Sequence, residues 1–346
     1  MLDKHSLIRS ANDVAYVTGL AAMAESRYGG VGTIFMLHSI VGDDEYLPRD
    51  NTRTSLHFLE KALKHYRQSR VPIVSLSDAV RRLETGDDER FVCFTFDDGY
   101  RDNLTLALPL FRKYQAPLTI YVTNAFLDRT YPDYWWGQLR HLILERDELS
   151  EEDAGRSMSL QTPQEKKAAY LYLMSAIGKG ALPKVQATAM FDRYGISNAE
   201  ALDRDAMTAG ELRDAAAAEP LLEIGGHTRS HARLAPLDTD AATAEIAHNK
   251  RYLQDLLGRE ISHLAYPYGD ADSCGARDFD LALRAGYRTA VTTRLGNLFP
   301  AHLEHLAALP RMRFIGGCES VGFLEAQRAG LITAVTSRLG NPVVTV

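Results

Sequence analysis

The chain has 346 residues, 45% hydrophobic and 24% charged, the balance of a folded globular protein and not of a disordered one. A net charge of −6 and a pI near 6.0 lack the basic footprint that a nucleic-acid backbone demands, so no nucleic-acid partner is expected. No apolar run reaches the roughly 18 residues that a membrane-spanning helix needs, so no membrane span is expected either.

In residues 1–30 charged groups flank a short apolar run and break the continuous stretch of an export signal. An N-terminal helical extension is expected there. The three cysteines, Cys93, Cys274 and Cys318, are an odd number at wide spacing without CxxC, which argues against a disulfide framework or a thiolate metal site. Both features point to a cytoplasmic protein.

Val31–Ile40 (VGTIFMLHSI) reads as a strand, and Leu56–Ser69 then repeats apolar residues at helical spacing. A short helix over Ser77–Leu83 leads to Phe91–Phe96 (FVCFTF), a run suited to a parallel strand buried on both faces. Leu104–Tyr114 is helical, and Pro117–Asn124 is the next strand. This alternation predicts parallel β/α architecture.

Between residues 131 and 219 helical periodicity replaces the strand signals, which predicts a helical insertion. The β/α rhythm resumes with strand Leu221–Ile224, helix Thr239–Leu257, strand Ile261–Tyr266, helix Phe279–Ala285 and strand Tyr287–Thr293. The expected organisation is therefore a 1–30 extension, a core over 31–316 interrupted by 131–219, and a tail over 317–346. Within that tail, Cys318–Leu339 reads as one amphipathic helix packed outside the core, a face that also suits peripheral membrane contact. Oligomeric state leaves no signature.

Three segments carry chemistry. Asp97 and Asp98 follow an apolar strand and precede Gly99, so they belong at a strand's carboxyl end, where α/β folds gather ligands. Neighbouring strand residues point to opposite faces. One acid could then bind a cation and the other face substrate, with nothing to say which does which. An Asx turn or helix cap explains many such Asp-Gly pairs.

His227 and His231 in H-T-R-S-H stand at i, i+4, which would put both imidazoles on one side of a helical turn. Two surface histidines are the plain alternative. With one carboxylate from elsewhere, the pair would leave positions open for water and substrate, as catalytic sites do. Tyr266-Pro267-Tyr268-Gly269, at another predicted strand end, is a turn that could aim the Tyr268 N–H at an oxygen gaining charge. It could equally be an ordinary tight turn.

Together T-F-D-D-G (Thr95–Gly99), H-T-x-S-H (His227–His231) and Y-P-Y-G (Tyr266–Gly269) resemble, in order and context, the three main motifs of the polysaccharide deacetylase (NodB-homology, carbohydrate esterase family 4-like) family. The resemblance spans most of Val31–Arg313 outside the insertion. It implies a distorted (β/α) barrel with fewer strands than a TIM barrel, and a hydrolase that removes the N-acetyl group of an amino sugar as acetate. It also implies roles: Asp97 as base, with Asp98, His227 and His231 holding a divalent ion, zinc before cobalt, manganese or nickel.

Two departures stand out. The family's third motif often begins with an Arg that steadies the catalytic Asp, where this chain has Ala265; its last motif is often L-x-H, where this chain reads Leu309-Pro310-Arg311. Arg311 is therefore expected to tether Asp97 in bidentate fashion. With the family's histidine missing, His38 at the end of the first strand is the leading general-acid candidate, ahead of His302 and His305. Trp135 and Trp136, with Tyr131 and Tyr134, are candidates to line a sugar groove, against the plainer reading as core anchors of the insertion. Two other functions stay open: an amidase or deformylase acting on a lipid-linked sugar or a non-carbohydrate amide, and a carbohydrate-binding protein with an impaired centre.

Overall fold

The computed structural model describes residues 13–344 except 15, 17, 43–44, 46, 49–51, 151–155 and 316–317. Residues 1–12 of the expected N-terminal extension and the last two of the tail lie outside the described residues.

Seven parallel strands form the frame: β1 (Gly32–Leu37), β2 (Phe91–Phe96), β3 (Leu118–Val122), β4 (Leu222–Gly226), β5 (His263–Ala265), β6 (Thr289–Val291) and β7 (Met312–Arg313). Their order across the sheet is β6-β5-β4-β3-β2-β1-β7. The two ends approach one another, because Leu309, just before β7, bridges Val291 of β6 while Met312 pairs with Phe35 of β1. The result is the distorted (β/α) barrel, one strand short of a TIM barrel.

Local sequence explains the elements. All six residues of β2 are buried, as a strand covered on both faces requires. Helix Leu56–Ser69 turns Phe58, Leu59, Ala62, Leu63 and Tyr66 inward at helical spacing. The Ser55 side chain accepts from the Phe58 N–H at its start, a cap whose loss costs about 1 kcal/mol. The main core joins the outer side of the sheet to these helices.

The segment between β3 and β4 carries helices Trp135–Glu145, Pro163–Gly178 and Lys184–Arg193 around an apolar cluster of their own that includes Leu139, Leu142, Leu173 and Phe191, and helix Asn198–Asp205 beyond it. An aromatic cluster of Tyr100, Phe126, Tyr131 and Tyr134 joins it to the barrel. Helix Ala209–Ala218 then leads into β4.

The C-terminal expectation needs correction. The span read as one helix is two, Val321–Arg328 and Leu331–Thr336, separated at Gly330, whose φ of 80° is left-handed. A Cβ there would stand 2.0 Å from the Tyr28 carbonyl oxygen, so the helical periodicity hid a break that only glycine permits. The first of the two helices also does not sit outside the core: Leu324 is fully buried within it. Among the described residues no helix is long and apolar enough to cross a membrane.

Candidate active site

The carboxyl ends of the strands open into a pocket of about 430 Å³ lined by Asp97, Asp98, His38, His227, His231 and Tyr268 from the barrel and by Tyr134, Trp135 and Trp136 from the insertion. The two adjacent acids do not point to opposite faces as strand residues would. Asp97 already lies beyond β2, and Asp98 takes a left-handed φ of 76°, which turns both carboxylates into the same cavity.

A similar correction applies to the histidine pair. Residues 227–231 form no helical turn; His227 follows β4 directly, and left-handed backbone at Thr228 (φ 60°) and His231 (φ 59°) folds the loop back. The imidazoles converge all the same, each with Nε2 3.2 Å from Asp98 Oδ1. One ligand atom from each of the three residues lies within 4.8 Å of the others.

Tautomers test whether this trio suits a cation. His227 Nδ1 is 2.8 Å from the Ala265 carbonyl oxygen, which can only accept, so Nδ1 carries the hydrogen and Nε2 presents a lone pair. Asp98 Oδ1 is buried and receives no aligned hydrogen bond, so acceptors face one another across the gap. The donor set of two imidazole nitrogens and one carboxylate oxygen fits a divalent ion with open positions.

Asp97 is 2% exposed and has a different neighbour. Arg311, fully buried, donates from Nη1 to Asp97 Oδ1 and from Nη2 to Oδ2, both at 2.7 Å. Its Nε is spent on the Thr292 carbonyl and Nη1 also reaches Thr95 Oγ1, so the guanidinium has one orientation. Burial pushes Asp97 up, and the Arg311 charge more than offsets this, leaving the carboxyl below its ordinary value. His38 Nε2 stands 3.9 Å from Asp97 Oδ2, at the end of β1.

Tyr268 closes one side. Its φ of 62° is left-handed, its ring lies 5.1 Å from that of His231, and the Arg233 guanidinium sits 4.2 Å from the centre of the same ring. Its N–H makes no hydrogen bond among the described residues. Trp136 donates to the Tyr100 hydroxyl while lining the pocket, so it anchors the insertion and faces the cavity at once. Tyr131 reaches the Tyr268 hydroxyl at 3.4 Å.

His302 and His305 are not brought here. His302 is buried against the Phe299 and Val344 backbone, and His305 lines a separate surface depression. The sequence reading missed Arg53, Arg140 and Arg313, which also line the pocket. Only Arg313 had a signal: it lies two residues after Arg311 on β7, hence on the same face.

A family model described as polysaccharide deacetylase matches residues 84–152 and 185–290, together just over half of the chain. Among solved structures, the Streptococcus pyogenes deacetylase PplD in complex with acetate is similar over 82% of this chain and 92% of its own, at 18% identity and a TM-score of 0.54. IcaB from Ammonifex degensii covers 87% of this chain and 98% of its own, at 16% identity and a TM-score of 0.54. A de-N-acetylase from Aggregatibacter actinomycetemcomitans covers 86% and 99%, at 13% identity and a TM-score of 0.53. At these identities the likeness is one of fold. No curated protein sequence matches the chain significantly.

Proposed function

Because this chain belongs to the polysaccharide deacetylase family, we propose that it hydrolyses the N-acetyl amide of an amino sugar at a divalent cation, zinc in the first instance, held by Asp98, His227 and His231. The observation that carries this reading is the convergence of those three ligand atoms beside a second acid, Asp97, that is not part of the set. Bound there, the cation would polarise the amide carbonyl and make a water molecule more acidic.

The chain's own residues supply the rest. Asp97, ionised and fixed by Arg311, takes a proton from the attacking water, whose oxygen bonds to the carbonyl carbon. The free Tyr268 N–H donates to the carbonyl oxygen as negative charge builds on it. His38 gives a proton to the sugar nitrogen as the C–N bond breaks, so that acetate and a free amine leave. Trp135 and Trp136 offer ring surface to the sugar.

An impaired, purely sugar-binding protein fits less well. Arg311, just before β7, supplies the support for Asp97 that Ala265 cannot, which a mere binder does not need. The test is acetate release from N-acetylglucosamine oligomers with added Zn²⁺, comparing the protein with Asp97→Asn. Release by the wild type and loss in the variant is expected; equal release by both would end the proposal.

A further inference from the structure

Three arginines gather on the wall of the pocket, and not all of them are matched by a carboxylate partner. Arg53 follows the loop after β1, Arg140 lies on helix Trp135–Glu145, and Arg313 lies on β7; all three line the cavity. Glu45 serves two of them at once, with Oε2 3.1 Å from Arg53 Nη2 and 2.7 Å from Arg140 Nη2. Asp205 stands 3.6 Å from Arg140 Nη1 but also accepts from the Tyr134 hydroxyl and meets His141. The Arg313 side chain makes neither a hydrogen bond nor an ion pair among the described residues.

Arg53 has a related deficit. Its side chain is 8% exposed, yet neither terminal nitrogen makes an aligned hydrogen bond, although the Glu45 charge lies close. Buried donors without acceptors carry a desolvation cost that a bound acceptor would remove. Asp102, which also lines the pocket, already accepts from the Ser39 hydroxyl, the Ile40 N–H and Asn103. Burial pushes its carboxyl up to about 7, so at neutral pH it brings only part of a negative charge.

Position narrows the ligand. Arg311 immediately precedes β7 and Arg313 ends it, and in extended chain residues two apart point the same way about 7 Å apart. A guanidinium that far from the one gripping Asp97 lies within a sugar's reach of the reacting amide. Arginine's planar fork suits a phosphate or carboxylate, and a neutral sugar has no acceptor of matching charge.

We infer that the substrate is an N-acetylated amino sugar bearing an oxyanionic group, a phosphate ester or a carboxylate, near the amide, and that Arg313 and Arg53 receive that group. This rests on the deacetylase reading, but binding can be measured without it. Titration calorimetry of the full chain with glucose, glucose 1-phosphate and glucuronic acid, none of which has an amide to cleave, isolates the anion's contribution. The expected result is that at least one anionic sugar binds about tenfold or more tighter than glucose. Arg313→Gln removes most of that preference and Arg313→Lys keeps part of it. The phosphate arm binding better identifies a phosphate ester, and the carboxylate arm a uronate.

Equal binding of all three sugars, or an anion preference untouched by Arg313→Gln, overturns the inference. Arg313 is only half-buried, so its variants test the point even where Arg53→Gln fails to fold. Anion-selective binding without acetate release from N-acetylglucosamine 1-phosphate would instead overturn the deacetylase reading and leave this one standing.

Discussion

Arg311 and Asp97 meet as two planar forks, joined by paired 2.7 Å hydrogen bonds although 214 residues separate them in the chain. Because both are buried, removing the arginine leaves a carboxylate with no counter-charge, a loss of about 3–5 kcal/mol for such pairs. Arg311→Ala is expected to lower the urea midpoint and to reduce kcat/KM by at least about 100-fold. Ala265 belongs to the apolar cluster around Tyr121, and the Arg311 guanidinium lies 5.7 Å from that same ring. The double variant Ala265→Arg/Arg311→Ala therefore has the vacated volume available and should recover part of the activity lost in the single one. No recovery would show that the position, and not merely the charge, of this arginine matters.

Metal uptake should follow the three ligands and not Asp97. A ligand that binds only the folded chain stabilises it, by about 2.7 kcal/mol at one hundred times its Kd. Added Zn²⁺ should raise Tm in the wild type and in Asp97→Asn, and leave Asp98→Ala unmoved. Chelation should abolish acetate release and Zn²⁺ should restore it. An equal Tm rise in Asp98→Ala would remove the basis for the cation site.

His38 Nε2 lies 3.9 Å from Asp97 Oδ2, and its Nδ1 is buried without a hydrogen bond. As proton donor to the leaving nitrogen it must enter that step carrying the proton. His38→Ala should cut kcat by about 100-fold, with a smaller change in KM. Unchanged turnover would assign the proton to another group.

Asp102 predicts a pH effect on stability. Its carboxyl rises from 3.8 to about 7, with burial as the main cause. The folded state therefore holds this proton more tightly than the unfolded one. The resulting stabilisation is complete below the unfolded value and is lost as pH climbs through 7. In Asp102→Asn the amide oxygen can accept from Ile40 and Asn103, while its NH₂ donates to Ser39, whose hydroxyl reorients. The variant's Tm relative to wild type should thus improve by a few degrees from pH 5 to pH 8; a constant difference would contradict the shift.

Much of the frame was legible because parallel strands buried on both faces become uninterrupted apolar runs such as Phe91–Phe96, and the helices keep their period. Of the site, the i, i+4 spacing of His227 and His231 identified the pair for a reason that does not hold. No helix aligns them; two left-handed residues do, and backbone of that kind has no periodic trace in sequence. Arg311 was visible only through resemblance, as a residue standing where a histidine is common. Arg53 comes from the short strand Arg53–Ser55 and Arg140 from the insertion, so only tertiary packing brings them to the pocket. The break at Gly330 escaped because the apolar pattern continues across it.

Asp98, Thr228, His231 and Tyr268 all carry left-handed backbone, at φ of 76°, 60°, 59° and 62°. For residues with a Cβ this geometry is unfavourable by about 1–2 kcal/mol each. Glycine at Asp98, His231 or Tyr268 would ease the local backbone while erasing a ligand or a wall. Selecting for relaxed backbone in this protein would consequently tend to harvest inert clones from these few codons, and engineering for durability belongs on the outer helices instead.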